Sequence, residues 1–262
     1  MSPHPLIIQF IVMALALSAV MATAWSIQRR TGATGWIDVC WTFGTGLVAC
    51  LASLVPVPDG GAVSLRQVMV ALLVAIWSFR LGGHLLLRTW QAGDDPRYRD
   101  LIDQWGATAD RRMFLQLQAQ AAVGLILAVS AAVAAHNPRP GLGFVDLLGA
   151  LLLLTALIGE ALSDWELRRF RSDPANRDRV CEAGFWKWSR HPNYFFECMH
   201  WVTYIALSIG SPWAWLTLVP PLLMTWLLMK LSGVPLLEQR SLKTRPGYEE
   251  YMQVTSPFVP WP

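Results

Sequence analysis

Five apolar runs recur along the chain, from Pro5 to Ile27, Trp36 to Val55, Leu65 to Leu87, Phe114 to Ala135 and Leu142 to Ser163. Each is long enough to cross about 30 Å of hydrocarbon, which takes roughly 20 helical residues. A sixth run, Phe195 to Met229, is too long for one span and too short for two ordinary ones. Ser211-Pro212 and Pro220-Pro221 interrupt it, which predicts a tight hairpin of two helices with a break between them. The pattern predicts an all-α, polytopic integral membrane protein with seven transmembrane helices in one continuous membrane domain. Helices one to four fall within residues 1–135, and helices five to seven with their loops within 142–262.

Charge tests the count, because Lys and Arg are retained in short cytoplasmic loops. With seven spans one side holds Arg29, Arg30, Arg97, Arg99, Arg111 and Arg112, then Arg168, Arg169, Arg171, Arg177, Arg179, Lys187 and Arg190, and finally Arg240, Lys243 and Arg245. The other side holds only Arg139. This asymmetry predicts an outside amino terminus and a cytoplasmic carboxyl terminus, and six spans would spoil it. Composition agrees, with 54% hydrophobic residues, 14 Trp, only 15% charged residues and a mean hydropathy of +0.37. The expected partners are membrane lipids and a hydrophobic small molecule, not nucleic acid. The first run lacks a basic leader and is longer than a signal-peptide core, so cleavage is not expected. Cys40, Cys50, Cys181 and Cys198 show no CxxC spacing, and His84 and His200 have no ligand partners at useful spacing, so neither a disulfide framework nor a metal is expected.

Polar chemistry concentrates where the sixth run begins, at Arg190-His191-Pro192-Asn193-Tyr194-Phe195-Phe196-Glu197. Pro192 suits the first turn of a helix, and Asn193 and Glu197 then share one face at i and i+4. Upstream, Asp164, Arg168 and Arg171 share a face at i, i+4 and i+7, near Glu160. Two readings stand for that stretch. It is either a helix end whose arginines snorkel to headgroups, with Asp164 paired to Arg168, or a functional site, as intramembrane carboxylates usually mark. The basic loop is likewise either a topology signal alone or a site for an anion, which a helix amino terminus and clustered Arg side chains both favour. Asp95-Pro96-Arg97-Tyr98 reads as a polar turn closing one face, and Gly82-Gly83 as a place of close helix contact.

At these residues the chain resembles the steroid 5-alpha-reductase superfamily, most closely its bacterial members of unassigned substrate. The resemblance rests on Asp164-xxx-Arg168-xx-Arg171, Gly184-Phe185 and the Arg190 to Glu197 motif. It extends to Glu238-Gln-Arg240, Gly247-Tyr248, Asp38-xx-Trp41 and Asp94 to Tyr98, so it covers nearly the whole chain. It implies seven spans, placement in a bacterial inner membrane, NADPH as cofactor and hydride transfer to a carbon–carbon double bond conjugated to a carbonyl, in a steroid-like or other lipid enone. Carried over, Asp164, Arg168, Arg171, Arg179, Asn193 and Glu197 would hold the cofactor, with Tyr194 and Arg240 as weaker assignments. The related Arg-His-Pro-x-Tyr helix start of isoprenylcysteine and phospholipid methyltransferases implies the alternative, a membrane methyltransferase using S-adenosylmethionine.

The amino-terminal half matches less well. Steroid reductases pair a carboxylate in the second span with a tyrosine in the next, and here Asp38 stands in the second span while Trp77-Ser78-Phe79-Arg80 offers no tyrosine. Asp38 and Arg80 are the candidate catalytic residues, as an acid and a ligand for a substrate oxygen. The other reading pairs Asp38 with Arg80 to orient two helices.

Overall fold

The computed structural model describes residues 4–56 and 61–261. Among them the helices run α1 (His4–Thr31), α2 (Trp36–Ser53), α3 (Leu65–Ala92), α4 (Pro96–Trp105), α5 (Ala109–Ala135), α6 (Phe144–Ser172), α7 (Pro192–Ser208), α8 (Val219–Trp226), α9 (Val234–Thr244) and α10 (Tyr248–Val254). Among the described residues six stretches are long and apolar enough to cross a membrane: Leu6–Thr31, Trp36–Ser53, Leu65–Gln91, Pro96–Ala135, Phe144–Ser172 and Ala214–Thr244. The protein is an all-α, polytopic integral membrane protein. Its contact with lipid is visible on α1, where Leu6, Ile7, Ile8, Ile11, Val12 and Leu15 are all exposed. Such a continuous apolar surface is unfavourable in water and suits hydrocarbon.

The helices outrun the apolar runs at their polar ends. α3 continues past Leu87 to Ala92, α5 begins at Ala109 rather than Phe114, and α6 continues past Ser163 to Ser172. Helical hydrogen bonding does not need apolar side chains, so hydropathy marks the buried length of a helix and not its end. Asp95-Pro96-Arg97-Tyr98, read as a turn, instead starts a helix: the Asp95 side chain accepts from the Arg97 N–H and Pro96 takes the first position of α4. Pro220-Pro221 likewise lies in the first turn of α8 rather than at a break. The interruption is at residues 209–213 alone.

The chain forms two compact units, Met1–Gly143 with Leu207–Thr217, and Phe144–Ala206 with Leu218–Pro262. In the first, α2 packs against α1, α3 and α5. Small residues let the backbones meet: a Cβ on Gly46 would lie 2.1 Å from Ser78 Oγ, one on Gly44 2.5 Å from Val20, and one on Gly124 2.7 Å from Thr45 Oγ1. Of the expected pair, Gly82 abuts the Phe43 ring, whereas Gly83 faces open space. Gly46→Ala is therefore expected to destabilise by about 1–3 kcal/mol through overpacking. Gly83→Ala is expected to stabilise by about 0.5–1 kcal/mol, because alanine is the better helix former. Denaturant titration in detergent checks both.

Backbone groups at one end of this unit are satisfied from the first turn of α3. Ser64 and Gln67 form a reciprocal cap, and Gln67 Nε2 also donates to Ser53 O at 3.0 Å and Val55 O at 2.7 Å. The buried Arg66 donates to the carbonyls of Asn137 (3.1 Å), Arg139 (2.6 Å) and Gly141 (2.5 Å). Asn137 Nδ2 in turn reaches Leu207 O and Ile209 O, at 2.9 and 2.8 Å. The end carbonyls of α2 and the residues following α5 and α7 thus find donors where hydrocarbon offers none.

In the second unit α6 meets α7 closely, since a Cβ on Gly159 would stand 2.4 Å from the Phe196 ring. A π-helical turn, Leu227–Leu231, follows α8. A short bridge between Ser189 and Ser256 brings the carboxyl-terminal tail alongside the start of α7.

Candidate functional site

The polar end of α6, the loop after it and the first turns of α7 are held together in the second unit by bonds that each need one residue type. Gly184 has φ +59° and its position leaves no room for a Cβ, which would overlap Glu166 Oε1. That lets the Phe185 N–H reach Glu166 Oε2 at 2.9 Å, while Trp186 Nε1 donates to Ser163 O at 2.9 Å. Phe185 then packs edge-on against Phe196, centroids 5.2 Å apart. With the loop so fixed, the Asn193 amide donates to Asp164 Oδ1 at 3.2 Å, across 29 positions of sequence. Asn193 Oδ1 accepts the Tyr194 N–H at 3.1 Å.

Of the residues expected to hold a cofactor, Asp164, Asn193 and Tyr194 are thus brought together. Glu197 lies on the same helix, buried, and accepts from Trp201 Nε1 at 2.9 Å. Arg168, Arg171 and Arg179 are exposed along the end of α6 and its loop, and Arg240 is exposed on α9. Arg171 and Arg245 both act on the thiol of Cys181, whose pKa burial raises and these two cations oppose. Arg179 lines an open depression of about 610 Å³ with Phe170, Val180, Asp178 and Glu182. Two carboxylates there make it a poor seat for a phosphate.

Arg190 does not face outward as its place in a basic loop suggests. It is 8% exposed and held by three bonds: Nε donates to Glu238 Oε1 at 2.7 Å, and Nη1 to the carbonyls of Met252 and Thr255 at 2.7 and 2.8 Å. The Tyr251 hydroxyl donates to Trp186 O, and Ser189 Oγ to Phe258 O at 2.8 Å. The tail is thereby bound to the segment 186–190. Sequence reasoning took Arg240 from the Glu238-Gln-Arg240 segment and passed over Glu238, whose role depends on a contact 48 positions away.

In the first unit Asp38 is not paired with Arg80. Its Oδ2 accepts from Arg97 Nη2 at 2.5 Å, with Arg88 at 3.9 Å, and its Oδ1 accepts from the Tyr98 hydroxyl at 2.7 Å. Gln120 Nε2 completes the phenol's bonding at 2.8 Å. The helix-orienting reading of Asp38 holds with a different cation, because α4 carries Arg97 and Tyr98 to the first turn of α2. Arg80 lies half-buried on α3. The phenol that meets Asp38 is Tyr98, 60 positions away in sequence, where no span periodicity points to it.

The Asp95 carboxylate anchors the same cluster, accepting from Arg97 at 2.8 and 3.0 Å and from Arg88 at 2.8 Å. Burial alone would raise its pKa, but the hydrogen bonds and charges of Arg97 and the charge of Arg88 hold its carboxyl below the usual range. A carboxyl depressed in the fold stabilises fully above its unfolded pKa, about 3.9, and that stability is lost as pH falls through the lower folded value. The stability gap between the wild type and Asp95→Asn is therefore expected to be constant from pH 7 to about 5 and to close below about pH 4. Thermal unfolding in detergent across that range measures it.

The family described as "Protein of unknown function (DUF1295)" matches residues 24–255. The chain belongs to it. No curated protein and no solved structure matches this DUF1295 member. The match takes in both the Asp38 cluster and the Asp164 to Glu238 region. Among the described residues there is no group of His, Cys, Asp and Glu able to hold a metal ion.

Proposed function

We propose that the protein is a membrane-embedded, NADPH-dependent reductase of the steroid 5-alpha-reductase superfamily, acting on a hydrophobic enone in a bacterial inner membrane. The observation that carries this reading is the Asn193–Asp164 hydrogen bond. It joins the helix start to the arginine-bearing face of α6, so an amide and a carboxylate suited to a nicotinamide and ribose stand beside cations suited to phosphates. Asn193 spends one amide proton and one lone pair internally and keeps one of each for a ligand. Asp164, Asn193 and Glu197 would lie towards the nicotinamide, and Arg168, Arg171 and Arg240 towards the phosphates. When bound, NADPH supplies the hydride for the carbon–carbon double bond. A proton completes the saturated product. In this reading α7, 17 residues long, is a seventh span, and the sixteen clustered cations support a cytoplasmic carboxyl terminus.

Thermal unfolding of detergent-purified protein with NADPH, NADH or S-adenosylmethionine tests the reading. A ligand that binds only the folded state stabilises it, by about 2.7 kcal/mol at a hundredfold excess over Kd. NADPH is expected to stabilise the wild type, and Asn193→Ala and Arg171→Ala to weaken that effect with little change in the ligand-free midpoint. Stabilisation by S-adenosylmethionine and by neither dinucleotide would sink the reductase and favour a methyltransferase.

A further inference from the structure

Glu238, in the second turn of α9, takes no part in the proposed cofactor set, yet two adjacent residues at the start of α7 converge on one of its oxygens. Oε1 accepts from Arg190 Nε at 2.7 Å and stands 3.3 Å from His191 Nε2. An ionised carboxylate only accepts, so a neutral His191 facing it carries its proton on Nε2 and keeps Nδ1 as an acceptor. The ring so held lies flat against Tyr194, with centroids 5.5 Å apart and planes 10° from parallel. Tyr194 in turn donates its N–H to Asn193 Oδ1, and Asn193 Nδ2 reaches Asp164. Gly233 closes the row from the α9 side. A Cβ there would stand 2.9 Å from the Tyr194 ring and 2.5 Å from Leu228 O, so α9 approaches this closely only because residue 233 has no side chain.

We propose that Glu238 is a positioning residue for the candidate site. Through His191 and Tyr194 it sets the orientation of the Asn193 amide, and through Arg190 it makes that orientation depend on the docked tail, whose Met252 and Thr255 carbonyls Arg190 also holds. The assignment of the ligand rests on the NADPH reading, whereas the histidine tautomer does not.

The test separates the two. Protein carrying ¹⁵N-labelled histidine is prepared in detergent, and the His191 signal is assigned by its loss in His191→Asn. At about pH 9, above the ordinary imidazole range near 6.5, the wild type is expected to show one tautomer with the proton on Nε2. In Glu238→Gln, whose amide can donate to the ring, that preference is expected to be lost or reversed. NADPH affinity, followed by fluorescence titration, is expected to fall about tenfold, the usual scale when a group that orients a ligand-binding side chain is removed. Glu238→Asp keeps the charge but withdraws it, and should give an intermediate tautomer ratio and affinity; it also carries the comparison should the glutamine variant fail to fold. An identical His191 signal in the wild type and the variants would overturn the proposal, as would unchanged NADPH affinity. If the wild type binds no NADPH, the cofactor reading fails and the histidine signal still decides the positioning role.

Discussion

Arg190→Ala is expected to cost about 3–5 kcal/mol of stability, the range found when one member of a buried ion pair is removed. The guanidinium is buried, its partner Glu238 is 13% exposed, and solvent screens neither well. Truncation leaves a buried carboxylate without its cation and strips the Met252 and Thr255 carbonyls of their donor. Arg190→Lys should recover only part of the loss, because an ammonium on a single stem cannot serve the carboxylate and two carbonyls as a planar fork does. Denaturant titration in detergent measures the stabilities. Limited proteolysis should show faster cleavage beyond Tyr251, where the tail loses its tie. A loss below about 0.5 kcal/mol, the scale of an ordinary surface substitution, would show that the geometry around Arg190 does not hold the tail.

Asp38→Ala is expected to cost about 2–3 kcal/mol, less than a fully buried pair because Asp38 and Arg97 keep 20% and 28% of their side-chain surface. The loss combines the Arg97 ion pair with the bond from Tyr98, a buried phenol left with Gln120 as its sole partner. Asp38→Asn should cost only about 1 kcal/mol, since its amide oxygen still accepts from Tyr98. The deciding measurement is a pair of double-mutant cycles, because a coupling energy isolates the contact from the damage of each single change. Asp38 and Arg97 should couple by at least 1 kcal/mol, and Asp38 and Arg80 by less than about 0.3 kcal/mol. The reverse order would restore the Asp38–Arg80 pairing. Neither Asp38 variant should change NADPH affinity, since the residues proposed to hold the cofactor all belong to the other unit.

Particular residues show how far the chain could be read. The apolar runs foretold α1, α2, α3, α5 and α6 but not the polar ends by which α3, α5 and α6 outrun them, nor α4, whose ten residues hold four charges and too little apolar length to register. Spacing and motif mark both Asp164 and Asn193 but not the bond between them, because nothing local links two positions across a loop that Gly184, Glu166 and Trp186 fold back. Arg190 was counted as loop charge and proves to be an interior strut. Asp38 reads as a residue needing a partner, yet its closest cation is Arg97 of α4 rather than Arg80 of α3.

Hydropathy and charge suffice to dictate which segments are apolar helices in a membrane, because the cost of exposing backbone and charge to hydrocarbon is paid segment by segment. They also mark which residues have chemistry to offer. Which of those residues meet is another matter. Asp38 with Tyr98, Asn193 with Asp164, and Arg190 with Glu238 and the tail are contacts across 29 to 65 positions. Helix packing alone chooses among the partners that each buried charge would accept, and close glycine contacts such as those at Gly46, Gly159 and Gly233 set how near the backbones come.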